Sequence, residues 1–144
     1  MEKNERIHIM AYKIEEIQGI GPSFAKKLAE AKIRSTDDLL DRCGSSKGRK
    51  SVATATGINE AQLLKWANMA DLMRVSGIAG QYAELLEAAG VDTIKELGTR
   101  KAENLATKMR EVNEQKNLAN ASPSGSVVQR WIDQAKKTEA RISH

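Results

Sequence analysis

Two stretches of this chain, 58 residues apart, carry the same uncommon order of residues, and their recurrence points to a fold built from two similar halves. The first is Ile17-Gln18-Gly19-Ile20-Gly21-Pro22-Ser23-Phe24-Ala25-Lys26-Lys27-Leu28; the second is Val75-Ser76-Gly77-Ile78-Ala79-Gly80-Gln81-Tyr82-Ala83-Glu84-Leu85-Leu86. Each reads as a tight turn followed at once by the first turn of a helix. Glycine reaches backbone angles closed to other residues, and Pro22 has the fixed φ and missing N–H that suit a first helical position. Ile17 and Ile20 flank the first turn as apolar pegs, and Phe24, Ala25 and Leu28 continue at helical spacing. The match runs on through Ala31 and Ala89, Ile33 and Val91, and Leu39 and Leu97. It keeps both turn and helical period, which marks an internal repeat. Past Leu39 the first copy reads as the longer one, with its extra residues in a loop at 43–50.

The rest of the chain supplies helices. Residues 1–10 are charged and aperiodic, are expected to be a disordered extension, and leave Met10 as a second candidate start. A short helix over 12–16 leads into the first turn, and a helix over about 22–31 leaves it. Ser35 or Thr36 caps a third that opens with Asp37 and Asp38. Residues 43–50, Cys-Gly-Ser-Ser-Lys-Gly-Arg-Lys, read as a cationic loop, followed by a short helix over 50–55. Asn59 opens the longest apolar helix, to about residue 73, whose apolar positions cover more than one face and require neighbours on several sides. A helix over 101–116 turns Leu105, Met109 and Val112 inward. The Ser-Pro-Ser-Gly-Ser segment at 122–126 reads as a mobile hinge, and the helix beyond it carries Val127, Val128, Trp131, Ile132 and Ala135 on one stripe.

With 144 residues, the chain suits one compact domain or two small intertwined repeats. A net charge of +4 is a mild basic bias, and aromatics at 3% argue against a base-stacking platform. A single cysteine, Cys43, excludes an intrachain disulfide and fits a reducing cytoplasm. No apolar run approaches the roughly 18 residues that span a bilayer, so a cytoplasmic protein without a membrane partner is expected.

The apolar-x-Gly-apolar-Gly turn with a small and an apolar residue on its second helix resembles a helix-hairpin-helix motif. The longer strings LAEAKIRSTDDLL (28–40) and LLEAAGVDTIKEL (85–97) resemble tandem domains of that kind. Residues 11–137 taken together resemble the bacterial domain of unknown function 4332 family, through the two repeats, a Leu-Leu-Lys-Trp helix and a closing Trp-Ile-Asp-Gln-Ala-Lys helix. The resemblance implies an all-α fold: two tandem helix-hairpin-helix, SAM-domain-like repeats at 11–74 and 75–120, packed around the central helix. A C-terminal amphipathic helix at 126–144 completes it. No established activity comes with the resemblance.

In the helix-hairpin-helix family, backbone amides at the hairpin contact a nucleic-acid phosphate. Unpaired N–H groups and the positive end of a helix dipole favour an anion there on physical grounds alone. The first hairpin has Lys26 and Lys27 after its turn, where the second has Glu84 and Leu85. A carboxylate about 4 Å from a phosphate costs on the order of 1 kcal/mol even in water. The second turn also has Ala79 for the second glycine and Gly80 for the proline. The candidate nucleic-acid site is therefore Gly19, Gly21, Ser23, Phe24, Lys26 and Lys27, with Arg49 and Lys50 of the cationic loop reaching an adjacent phosphate. Ser23 stands where many DNA-binding members carry a lysine. The competing readings of the turn are a helix connection with no ligand and a protein-binding surface.

Catalytic signatures are sparse. His8 and His144 lie at the ends, KGRKS has the wrong spacing for a phosphate-binding loop, and neither a metal set nor a Cys/His pair can be assembled. A non-enzymatic protein without cofactors is expected. The first function is weak, sequence-independent binding of double-stranded DNA through its backbone. The second is a protein-interaction adaptor docking through the acidic second repeat or the C-terminal helix. The third is an accessory subunit of a nucleic-acid-processing complex.

Overall fold

Side-chain oxygens set most of the helix starts. The computed structural model describes residues 11–144, and the expectation for residues 1–10 lies outside them. A 3-10 turn at Ile14–Glu16 precedes eight α-helices among the described residues. They are α1 (Pro22–Glu30), α2 (Thr36–Cys43), α3 (Ser46–Thr56), α4 (Glu60–Leu72), α5 (Gly80–Ala88), α6 (Ile94–Gly98), α7 (Ala102–Lys116) and α8 (Gly125–Lys136). The side chains of Ser35, Ser45, Asn59, Thr93 and Ser124 each accept an amide from three residues on. Each cap offsets one of the amides a helix start leaves unpaired. The fold is all-α.

The two turns repeat bond for bond. Ile20 N donates to Ile17 O, Ala25 N to Gly21 O and Ile33 N to Leu28 O. In the second copy Ile78 N donates to Val75 O, Ala83 N to Ala79 O and Val91 N to Leu86 O. Gly19 and Gly77 hold φ of 96° and 94°. A tryptophan lies beneath each turn: a Cβ on Gly19 would stand 3.5 Å from Trp66 Nε1, and one on Gly77 3.0 Å from Trp131 Nε1. Phe24 meets Trp66 edge-on at 5.0 Å between ring centroids, and Tyr82 meets Trp131 at 5.2 Å.

Helix packing follows the same scheme. Helix α1 packs on α3, and α4 on α2 and α3; in parallel α5 packs on α7, and α8 on α6 and α7. Helix α4 also packs on α5 and so joins the halves. Its many-sided apolar surface is accounted for, with Leu63, Trp66, Ala67, Met69, Ala70 and Leu72 all buried.

Four expectations are corrected. Residues 43–50 are not a long loop, since α3 begins at Ser46, capped by Ser45. The second copy is the longer beyond the matched segment, because Trp131 follows Leu97 by 34 residues and Trp66 follows Leu39 by 27. The extra length lies in α7 and the connection after it. That connection is tied down, not a bare hinge. Asn113 exchanges two hydrogen bonds with Ala119, the Tyr82 hydroxyl donates to Ala121 O, and Pro123 is buried. Finally, the C-terminal helix ends at Lys136 rather than 144.

Residues 137–144 instead run back across the first half. The Arg141 guanidinium holds Asp37 at 2.7 Å and Asp41, while its amide donates to Asp71 at 3.1 Å. Asp71, buried on α4, also takes 2.7 Å from Arg74, whose guanidinium reaches Glu139 O at 2.9 Å. Ser143 N donates to Gly44 O at 2.7 Å. A buried carboxylate needs such partners, because leaving it unpaired is costly.

Two stability measurements test this packing. Trp66→Ala should lower unfolding free energy by about 3–5 kcal/mol in urea titration, as truncation of buried large side chains does. A loss below about 1 kcal/mol would show that the turn does not rest on the indole. Lys32 adopts φ 66° after α1, where the second copy has Gly90 at φ 98°. Left-handed backbone costs a side-chain-bearing residue about 1–2 kcal/mol, and a glycine gives back part of that through unfolded-state entropy. Lys32→Gly should therefore stabilise by roughly 0.5–1 kcal/mol.

Candidate functional site

Glycine at position 21 is not required by the fold. Its φ of −90° and ψ of −171° are open to any residue, and a Cβ there would meet nothing within 4 Å. At the equivalent place Ala79 holds φ −100° and ψ −171°. Gly21 is the N-cap of α1 without a side-chain cap, and Pro22 at the first helical position has no amide. Among the described residues nothing accepts from the amides of Gly21, Ser23 or Phe24. Those three donors lie at the positive end of a nine-residue helix. Gly19, Gly21, Ser23, Lys26 and Lys27 are exposed. Phe24 is 36% exposed, with Trp66 against one edge and Lys27 Nζ 6.0 Å from its ring centroid. The structure thus brings the hairpin residues together on one small surface.

The loop cations divide. Lys50 is exposed on α3, which packs against α1. Arg49 is buried and leaves the candidate set. Its guanidinium donates to Cys43 O at 3.0 Å, Gly44 O at 3.1 Å and Ser143 O at 2.8 Å. It satisfies the carbonyls where α2 ends and the C-terminal segment crosses, a role that a bare charge run does not reveal. Cys43 beside it is buried, and burial raises its thiol pKa to about 11 against the lowering pull of Arg49 and Arg42. Such a thiol is a poor nucleophile at neutral pH.

The second hairpin is covered. Gly80 is buried, and a Cβ there would collide with the Glu16 carbonyl oxygen, so the chain leading into hairpin one closes over the start of α5. Glu15, Glu16 and Gln18 line the cleft beside it. Of the acids that follow the second turn on α5, Glu84 is half-buried and Glu87 stands 3.8 Å from Lys65. An anion on this side would meet the carboxylates of Glu15 and Glu16 and a helix start crowded by the Glu16 carbonyl.

Among the described residues, the C-terminal helix turns most of its apolar stripe inward. Val128, Trp131, Ile132 and Ala135 are buried against α6 and α7, so its stripe is consumed within the chain and does not offer the docking surface expected of it. Among the described residues no cluster of three or more His, Cys, Asp or Glu side chains is placed to hold a metal ion, and no helix is long and apolar enough to cross a membrane.

The arrangement leaves three amide donors without acceptors among the described residues at one helix start, with exposed Lys26 and Lys27 following. The element that sequence reasoning missed is the tryptophan floor shared by both turns. Its signal is the pairing of the only two tryptophans with the two glycine turns. Neither a curated protein nor a solved structure matches the chain. The family described as Domain of unknown function (DUF4332) matches residues 18–138, and with this span covering most of its length the chain belongs to that family.

Proposed function

We propose that the protein is a non-enzymatic, helix-hairpin-helix-type module of the cytoplasm that binds double-stranded DNA weakly, through the phosphate backbone at its first hairpin. The observation that carries this is the open turn. Three amides at one helix start have no acceptors among the described residues, and they surround a glycine that neither φ nor packing requires. A residue without Cβ at an exposed helix start permits close approach by a phosphate, as glycine does wherever backbone must meet a ligand. Lys26, Lys27 and Lys50 supply the long-range attraction, and the covered second hairpin serves packing. Such contacts position a duplex without reading its bases. One hairpin and a few cations make a small site, so affinity is roughly 10⁻⁴ to 10⁻⁶ M at physiological salt.

Fluorescence anisotropy with a short mixed-sequence duplex at two salt concentrations tests the proposal. Gly21→Ala should leave the melting temperature unchanged and weaken binding about tenfold, equivalent to about 1.4 kcal/mol. Lys26→Glu with Lys27→Glu should weaken binding to every sequence alike and reduce the salt slope by about 0.9 for each phosphate that is no longer neutralised. Glu84→Lys with Glu87→Lys should change little beyond long-range charge. Equal weakening from charge reversal near either hairpin would place the site wrongly. No binding by the unaltered protein at low salt would overturn the proposal and leave an adaptor docking through the acidic second repeat.

A further inference from the structure

A second site lies where the two halves meet. A half-open cavity of about 210 Å³ runs along α4 beside the end of α5. Its walls include Leu64, Met69 and Leu72, and its polar lining includes Asn68, Glu87 and Asp92. The Asn68 side-chain oxygen is fully buried and has no hydrogen-bond partner. An unpaired buried acceptor weakens a fold unless something else donates to it. Glu87 is held only loosely by Lys65, whose side chain is 52% exposed and whose nitrogen stands 3.8 Å away. Asp92 makes no ion pair among the described residues.

From this combination we propose that the cavity binds a small primary amine with an apolar ring or branched body. The volume decides the size: cavities of about 150 Å³ accept benzene, so this one holds a single ring with a short side chain. The lining decides the charge. One amide oxygen and two carboxylates offer acceptors, and the only cation among the lining residues, Lys65, can swing into solvent. An incoming ammonium would take Lys65's place beside Glu87, and the Asn68 amide would turn its buried oxygen into the cavity to accept from it, while the ligand's body covers Leu64 and Met69. The cavity shares no residue with the first hairpin, and amine binding does not depend on DNA binding.

Phenethylamine, 2-phenylethanol and 3-phenylpropionate are suitable probes, sharing a ring and differing in the group they present. Titrated against the full chain by amide NMR, the amine should shift residues 64–72 and 87–92 with a dissociation constant on the order of 1 mM. The alcohol should bind more weakly, and the carboxylate at least about tenfold more weakly than the amine. Asn68→Leu removes the unpaired acceptor while keeping the volume. It should raise the melting temperature and yet reduce amine affinity about fivefold or more. Glu87→Gln should weaken the amine and spare the alcohol. No shift in these segments at about 10 mM amine, equal binding of amine and carboxylate, or unchanged affinity in Asn68→Leu would each overturn the proposal.

Discussion

The indole of Trp66 beneath Gly19 fixes the geometry on which the first hairpin depends. A glycine turn at φ 96° has little of its own to hold it, since its backbone is bonded only across three residues. The ring supplies a floor. It also meets Phe24 edge-on, which sets the direction in which α1 leaves the turn and therefore where the amides of Gly21, Ser23 and Phe24 point. Trp131 stands in the same relation to Gly77 and Tyr82. Each half is thus closed by its last helix, α4 or α8, whose tryptophan reaches back under the first turn of that half. Buried aromatic area of this kind dominates small cores, and here two rings serve two turns.

From the same frame the halves diverge in use. The first hairpin keeps its helix start open to solvent, with lysines following. In the second hairpin Gly80 admits the Glu16 carbonyl at a distance no side chain permits, so that helix start becomes part of the joint between halves. The C-terminal segment makes the joint stronger from the other side. Arg141 binds Asp37 and Asp41 on α2, and Asp71 on α4 gathers Arg74 and the Arg141 amide. Arg49 belongs to this clasp as well. It carries charge into a nest of carbonyls rather than towards a ligand.

Local chemistry made much of the fold legible in the sequence. Pro22 marked the start of α1, Asn59 the cap of α4, and period and apolar spacing gave the inward residues of α7 and α8. What escaped was packing between elements distant in sequence. Residues 43–50 read as a loop because of Gly44, Gly48 and three cations, yet Gly48 is helical and lets α3 pass so close to α2 that a Cβ would collide with Arg42 O. The serine-proline segment read as a hinge because its composition is that of a linker, while Pro123 is buried and Ser124 caps α8. At the candidate site, the turn residues and flanking lysines could be read from spacing. The burial of Arg49 could not, because its acceptors include Ser143 O, 94 residues away. Nor could the closure of the second turn, which rests on a carbonyl from the chain leading into the first.

The unequal turns carry the account, and amide chemical shifts report on each turn separately. Titration of the isotope-labelled chain with a short DNA duplex at low salt should move the amides of Gly21, Ser23 and Phe24 progressively. Those of Ala79, Gly80 and Gln81 should stay in place. Shifts of equal size at both turns, or shifts confined to residues away from Gly21–Phe24, would contradict it.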